Sequence, residues 1–301
     1  MKPFSVKSFG LLPRLVEKLD RLLDRLDPLL PPRPVAVDWS RVPAAIWRRD
    51  SYHAWLEAVP VTPTNTLDDV LGVDRQKEQV VKNTEQFVRG LPANNVLLSG
   101  SRGTGKSSLI QALLNEFRDG GLRVIQVDKS DLADLLHIVA AVQDQPYRFI
   151  LFCDDLSFDD KDEAYKALKS ALDGGVYCPP DNILIYATSN RRHLMPDYHS
   201  DSEGSRVVET EVHHAEAVEE KVSLSDRFGL WITFYPLNQD LYLEIAQHWL
   251  RQLARRHGIV HEWNDEVRLL CVRWAGNRGN RSGRTAYQFA RHWIGQQLLT
   301  R

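Results

Sequence analysis

The sequence predicts an α/β chain: an αβα core built on a five-stranded parallel sheet, then a small all-helical region, with a helical and Pro-rich arm in front. Three observations carry this expectation. From residue 65 onward, short apolar runs alternate with longer polar-apolar stretches, the pattern of parallel strands joined by crossover helices. After Pro236 the apolar spacing turns helical and stays so to the end. Nine of the 15 prolines fall within the first 63 residues, which sets that part apart. The expected boundaries are 1–64 for the arm, 65–235 for the core and 236–301 for the helical region.

Within the arm, Leu15, Leu19, Leu22 and Leu26 recur at helical steps, with Arg14, Lys18, Asp20, Arg21 and Asp24 on the other faces. Pro28 stops that helix. The polar side mixes both charge signs, so the apolar stripe is expected on the protein's own core or a sister subunit rather than on a membrane. Residues 29–63, rich in Pro and Trp, read as an ordered arm. The candidate strands are 95–99, 123–127, 149–153, 183–187 and 231–234. Residues 195–222 carry eight acids against Arg206 and Lys221, and are expected to form a mobile, solvated loop. In the helical region Trp249, Trp263, Trp274 and Trp293 fall at helical positions, which predicts core packing.

With 43% apolar and 26% charged residues and a formal net charge of -2 over 301 residues, the composition is that of an ordinary globular protein. Nothing in that balance calls for nucleic acid. Cys153, Cys178 and Cys271 form no C-x-x-C pair, which suits thiols used as small core residues in a reducing compartment. The start of the chain has no apolar run of signal-peptide length, and no stretch approaches the roughly 20 apolar residues of a membrane span. A soluble, cytoplasmic protein without membrane partners is expected. His193, His199, His213 and His214 fit no zinc spacing and fall in or beside the acidic stretch, so no zinc site is expected there.

The strongest local signal is Gly100-Ser101-Arg102-Gly103-Thr104-Gly105-Lys106-Ser107, which fits G-x-x-x-x-G-K-[ST] directly after an apolar strand and before a helical stretch beginning at Ser108. Glycines turn backbone N–H groups onto phosphates, and the helix N-terminus adds positive potential. Lys106 would neutralise the outer phosphates, and the Ser107 hydroxyl would bind Mg²⁺. A second signal is Phe149-Ile150-Leu151-Phe152-Cys153-Asp154-Asp155, a strand ending in two carboxylates, with Asp154 48 residues beyond Lys106 (154 − 106). The carboxyl end of such a strand opens into the ligand crevice of a parallel sheet. That position lets Asp154 hold the magnesium shell and Asp155 polarise the attacking water.

At this point residues 65–300 resemble the AAA+ ATPases, with Walker A at Gly100–Ser107 and Walker B at Phe149–Asp155. The resemblance implies ATP and Mg²⁺ as cofactors. Members usually end Walker B with Asp-Glu, whereas this chain has Asp154-Asp155, a departure that bears on the rate of hydrolysis. By the same resemblance Asn190, closing Ala187-Thr188-Ser189-Asn190, is similar to sensor 1. Arg227, in Ser225-Asp226-Arg227-Phe228, is similar to an arginine finger and implies a homo-oligomer. Arg284, opening a helix after Ser282, resembles sensor 2, with Arg281 as its competitor. Leu71-Gly72-Val73-Asp74 resembles the segment near adenine, which puts Gly72 and Val73 with the cofactor-binding residues. The whole layout is similar to a bacterial family of AAA+ ATP-binding proteins of uncharacterised role.

Between the second strand and Walker B the family's protein unfoldases carry an aromatic-apolar-Gly pore loop, whereas residues 128–134 here contain no aromatic, so the resemblance disfavours a peptide-threading motor. Ten arginines against five acids over 236–301 make nucleic-acid contact conceivable but not favoured, since several of them have work at ATP or a subunit interface. The leading expectation is a magnesium-dependent ATPase that moves an unknown protein partner. Its alternatives are a nucleotide-dependent binding switch with little hydrolysis and a small-molecule kinase.

Overall fold

The computed structural model describes residues 16–18, 21, 36–51, 53–60, 64–156, 168–172, 180–190 and 227–300. The chain divides into two units, Met1–Ala36 and Val37–Arg301. In the first, Val16, Glu17, Lys18 and Arg21 are helical and exposed, with Arg21 Nη2 2.7 Å from Glu17 Oε1. Leu15, Leu19, Leu22 and Leu26, the acidic stretch 195–222, the four histidines considered for zinc and Cys178 lie outside the described residues.

The second unit is built on one sheet of strands β1 (Ala44–Arg49), β2 (Ala54–Val59), β3 (Val96–Gly100), β4 (Leu122–Gln126), β5 (Arg148–Cys153), β6 (Ile183–Ser189) and β7 (Leu230–Phe234). Their order is β2-β1-β4-β5-β6-β3-β7, parallel throughout except for the β1/β2 pair. The expected five parallel strands are β3 to β7. The strand count of five is corrected to seven, because β1 and β2 arise from the Pro- and Trp-rich stretch assigned to the arm. In β1 burial follows the period of two, with Ala45 and Trp47 inside.

Every residue of β3 and β6 is buried, which is why those strands read as continuous hydrophobic runs. Alternate side chains feed two different cores. Val96, Leu98, Ile150, Phe152, Leu184 and Tyr186 pack with helices α1 (Asp74–Val88) and α2 (Lys106–Phe117). Leu97, Leu151, Cys153, Ile183 and Ile185 pack on the opposite face with helix α3 (Leu135–Val142) and with Trp39 and Trp47. Buried Tyr186 ties α1 to the sheet: its hydroxyl lies 3.0 Å from Asn83 Nδ2 and 2.9 Å from Thr84 Oγ1.

The added edge is held by polar as well as apolar contacts. Residues 128–134, where no pore-loop aromatic stands, form a 3-10 segment (Lys129–Asp134) whose buried Asp134 accepts from Trp47 Nε1 at 3.2 Å and faces Arg49 Nη1 at 3.4 Å. Buried Arg123 donates through Nε to the Trp39 carbonyl at 2.8 Å and lies over the Tyr147 ring.

Beyond the sheet, helices α4 (Gln239–Arg256), α5 (Asp265–Asn277) and α6 (Gly283–Leu299) bury Tyr242, Leu250, Cys271, Ala286 and Phe289 in a core of their own. Side chains of Asn238, Asn264 and Ser282 accept backbone N–H groups at the three starts, each satisfying a donor the helix cannot. Burial pushes the thiols of Cys153 and Cys271 up to about 12 and about 11, as suits packing residues. Trp249, Trp263, Trp274 and Trp293 all pack against this core, half-buried. Among the described residues no helix is long and apolar enough to cross a membrane.

If Asp134 is what fastens β1 to the rest, Asp134→Ala leaves the Trp47 N–H buried without an acceptor and lowers unfolding stability by about 1–3 kcal/mol. Urea unfolding of the two proteins measures this, and equal midpoints with equal slopes contradict it.

Candidate functional site

Parallel strands present their carboxyl ends together, so Gly100 on β3, Cys153 on β5 and Ser189 on β6 open on one edge. A cleft of about 530 Å³ lies there, between the sheet edge and the helices α4 and α6. It is lined by Arg102 to Ser108, Asp154, Asp155, Thr188, Asn190 and Arg284, and by a less polar wall of Val70, Leu71, Ile245, Trp249 and Tyr287.

The loop Gly100–Ser107 leads into α2 through Gly105, which adopts φ 99° and provides no side-chain cap. α2 shares the lack of a side-chain cap with α1 and α3, but its first residues Lys106, Ser107 and Ser108 line the cleft, so its free N–H groups are open to an anion there, whereas α4, α5 and α6 have side chains on theirs. Thr104 Oγ1 donates to the Ser101 carbonyl at 2.9 Å and braces the loop. A side chain at Gly103 would come within 2.6 Å of Ser282 Cβ, and the Gly103 carbonyl accepts from Gly283 N at 2.7 Å. The loop is thus seated on the start of α6.

Lys106 is 5% exposed, and its ammonium donates to the carbonyls of Gly100 and Ser101 at 2.8 Å each and to Asn190 Oδ1 at 3.1 Å. Burial lowers its pKa to about 8 against the upward pull of Asp154 and Asp155, with Arg102 adding to the lowering. Ser107 Oγ donates to Asp154 Oδ1 at 2.8 Å, and Thr188 Oγ1 donates to the same oxygen at 2.5 Å. Thr188 Oγ1 also accepts from the backbone N–H of Asp155 at 2.9 Å. Among the described residues Asp155 is the one non-glycine with positive φ, at 55°. Its Oδ1 accepts from Asn190 Nδ2 at 2.5 Å, and its Oδ2 lies 3.7 Å from Arg102 Nη2.

A hydroxyl and a carboxylate in contact are hard oxygen donors, of the kind Mg²⁺ takes together with phosphate oxygens and water, so Ser107 and Asp154 fit that ion. Among the described residues no group of three or more His, Cys, Asp or Glu forms an all-protein metal cage.

Across the cleft, His248 Nε2 on α4 lies 2.7 Å from Asp69 Oδ1. Burial works against ionisation of Asp69, but the N–H and hydroxyl of Thr66 together with His248 hold its carboxyl below the usual range. Trp249 meets Tyr287 edge to face, with centroids 4.8 Å apart, and both side chains line the cleft.

Most of the residues singled out from sequence converge here, and a few do not. Gly100 and Ser101 act through the carbonyls that hold Lys106 and do not line the cleft. Gly72 and Val73 do not line it either: Gly72 backs onto Leu241 of α4 and Val73 is buried under the sheet, while Val70 and Leu71 supply the wall. Arg284 faces the cleft, whereas Arg281 lies against a separate hollow beside Ser101 and Pro236. Arg227 does not line the cleft; it precedes buried Phe228 and the edge strand β7. Sequence reasoning assigned no role to Thr188, although it stands two residues before Asn190 in an extended run, on the same side of the strand. Asp69, His248 and Tyr287 had no local signal. Trp249 packs against the helical core, as its helical position predicts, and also lines the cleft.

The chain has an AAA+ P-loop ATPase-like fold. It belongs to the family described as "Protein of unknown function (DUF815)", which matches residues 40–297. Among solved structures it is similar to the RuvB Holliday junction branch migration motor of Thermotoga maritima, at 18% identity and TM-score 0.51, covering 75% of this chain and 63% of that one. It is likewise similar to the Aeropyrum pernix ORC1 protein solved in complex with DNA, at 16% identity and TM-score 0.52, covering 78% and 63%. The chain therefore spans less than two thirds of either relative. No curated protein matches the sequence.

The lowered pKa of Lys106 fixes the sign of a pH effect. Between about 8 and its ordinary value of 10.5 the unfolded chain binds the proton and the folded chain releases it, so stability contributed by this group rises with pH across that window. Below about 8 the cost of burying the ammonium is fully present. In nucleotide-free and metal-free buffer, wild type is expected to gain stability relative to Lys106→Met as pH goes from 8 to 10, as followed by denaturant unfolding; a pH-independent difference contradicts the lowered value.

Proposed function

We propose that this chain binds ATP with Mg²⁺ and hydrolyses it, using the change of nucleotide state to move its helical lid and act on a macromolecular partner. The observation that carries the reading is the placement of Lys106, Ser107 and Asp154 around one point at the open end of α2. In this reading the loop amides and Lys106 take the phosphates, and Val70, Leu71, Ile245, Trp249 and Tyr287 take the less polar base and sugar. Bound Mg²⁺, held by Ser107 and Asp154, would neutralise charge on the phosphates. Asn190 and Asp155 orient the attacking water, and Arg284 brings a cation from the lid.

Arg227 serves as a finger for a neighbouring copy. Its place beside the edge strand β7, apart from the cleft of its own chain, supports a role in trans and hence a homo-oligomer.

A second reading, a nucleotide-dependent binding switch with little hydrolysis, is favoured by one feature. Asp155 is a residue shorter in reach than the usual Glu, and both its oxygens have partners. Asp155→Glu separates the two: a large gain in turnover marks a site built chiefly for binding.

ATP turnover is expected to fall by about 10²-fold or more in Lys106→Ala and by about 10³-fold or more in Arg227→Ala. Equal phosphate release by wild type and both variants ends the ATPase reading.

A further inference from the structure

The cleft holds a cation that the phosphate-binding reading leaves without work of its own. Arg102 sits inside the phosphate loop, lines the cleft and points its guanidinium at Asp155, with Nη2 3.7 Å from Oδ2. The backbone beneath it is fixed, since the next residue, Gly103, is bonded to Gly283 and packed against Ser282. The side chain itself is 80% exposed, and its partner carboxylate 52%. An ion pair that open, and longer than a hydrogen bond, is weakly held and easily exchanged for another anion.

We propose that Arg102 senses the terminal phosphate of ATP in cis, leaving Asp155 for the γ-phosphate when the triphosphate is bound and returning to Asp155 when only the diphosphate remains. The proposal rests on the reading of the cleft as an ATP site. Charge decides the exchange. A terminal phosphate group brings close to two negative charges and three acceptor oxygens, against one charge on the carboxylate, and the planar guanidinium matches phosphate geometry in a two-pronged contact.

The consequence falls on Asp155. Its Oδ1 is held by Asn190, whose own Oδ1 accepts from Lys106, so Oδ2 is the oxygen whose partner can change without disturbing the lysine. While Arg102 faces Oδ2, both carboxylate oxygens have a protein partner that competes with water for them. With Arg102 drawn to the γ-phosphate, Oδ2 is released toward the position from which water attacks. The same cation then adds positive charge where negative charge builds. The loop thus reports its own ligand to the hydrolytic carboxylate, with no contribution from the lid arginine Arg284 or from Arg227.

The test compares ATP and ADP binding to the full chain by calorimetry, with phosphate release, in wild type, Arg102→Ala and Arg102→Lys. Because Arg102 is exposed, neither substitution is expected to disturb folding, which circular dichroism checks. The expected result is that Arg102→Ala keeps its ADP affinity within about twofold, loses on the order of tenfold in preference for ATP over ADP, and slows turnover by a similar factor. Arg102→Lys, which keeps the charge without the fork, regains part of that preference. If wild type binds ATP and Lys106→Ala abolishes it, yet Arg102→Ala keeps the ATP-to-ADP ratio and the turnover of wild type, the ATP site stands and the sensing role is overturned. If wild type binds neither nucleotide, both readings fall together.

Discussion

A buried ammonium has to be paid in hydrogen bonds, and the arrangement around Lys106 shows what that requires. Two carbonyls of the loop and one side-chain amide oxygen take its three protons, and burial still drags its pKa down to about 8. The carbonyls belong to Gly100 and Ser101, which are placed by β3 and by the bond from Ser101 N to the Phe234 carbonyl at the end of β7. The amide belongs to Asn190, placed by β6. The lysine therefore reports the register of three adjacent strands, and a slip in any of them would leave a charge without partners.

The same loop is the point where sheet and lid meet. Gly103 accepts from Gly283, Ser282 caps α6 beside it, and Asn280 Oδ1 accepts from both Ser282 and Thr285 hydroxyls. On the far wall Asp69 holds His248 and Leu71 joins the lid core with Leu241. Each contact is small. Together they mean that a displacement of the loop is felt by α6, and one of the wall by α4, which gives the cleft two separate mechanical links to one helical body.

How much of this was legible in the sequence follows from the range of the forces involved. Strands β3, β5 and β6 are covered on both faces, so their burial is written as unbroken apolar runs, and the loop between β3 and α2 is a local motif. β1 and β2 were missed because they sit at the rim. Their sequences, Ala44–Arg49 and Ala54–Val59, carry Arg and Glu where an inner strand would carry Val or Ile, and Pro43 and Pro60 flank them. What fixes β1 is Trp47 on Asp134, a contact across 87 positions that no window of sequence contains. Of the segment Leu71–Asp74, Leu71 lines the cleft beside Val70 while Gly72 and Val73 do not, for the same reason. Gly72 attracts the eye as a turn residue, but its turn serves Leu241 on a helix far along the chain, and it is Val70 and Leu71 that face the cavity. Between Arg284 and Arg281 the sequence leaves the choice open even with the Ser282 cap in view, because which of the two lines the cleft depends on how α6 sits against the loop.

The unusual Asp154-Asp155 pair makes sense as a division of labour imposed by backbone. Adjacent residues in an extended strand point to opposite faces, so two carboxylates at a strand end do not naturally share one cleft. Here the strand ends at Cys153 and Asp155 turns to φ 55°, a region where Asp and Asn are several-fold enriched over other side chains. Thr188 fixes that turn by accepting the Asp155 N–H while donating to Asp154. Asp154 consequently turns to the hydroxyls of Ser107 and Thr188, and Asp155 to Asn190 and Arg102. A glutamate gains a methylene of reach but lacks the short side chain that tolerates a left-handed backbone. Reach and backbone conformation are therefore linked at this position, and the shorter acid goes with the tighter turn.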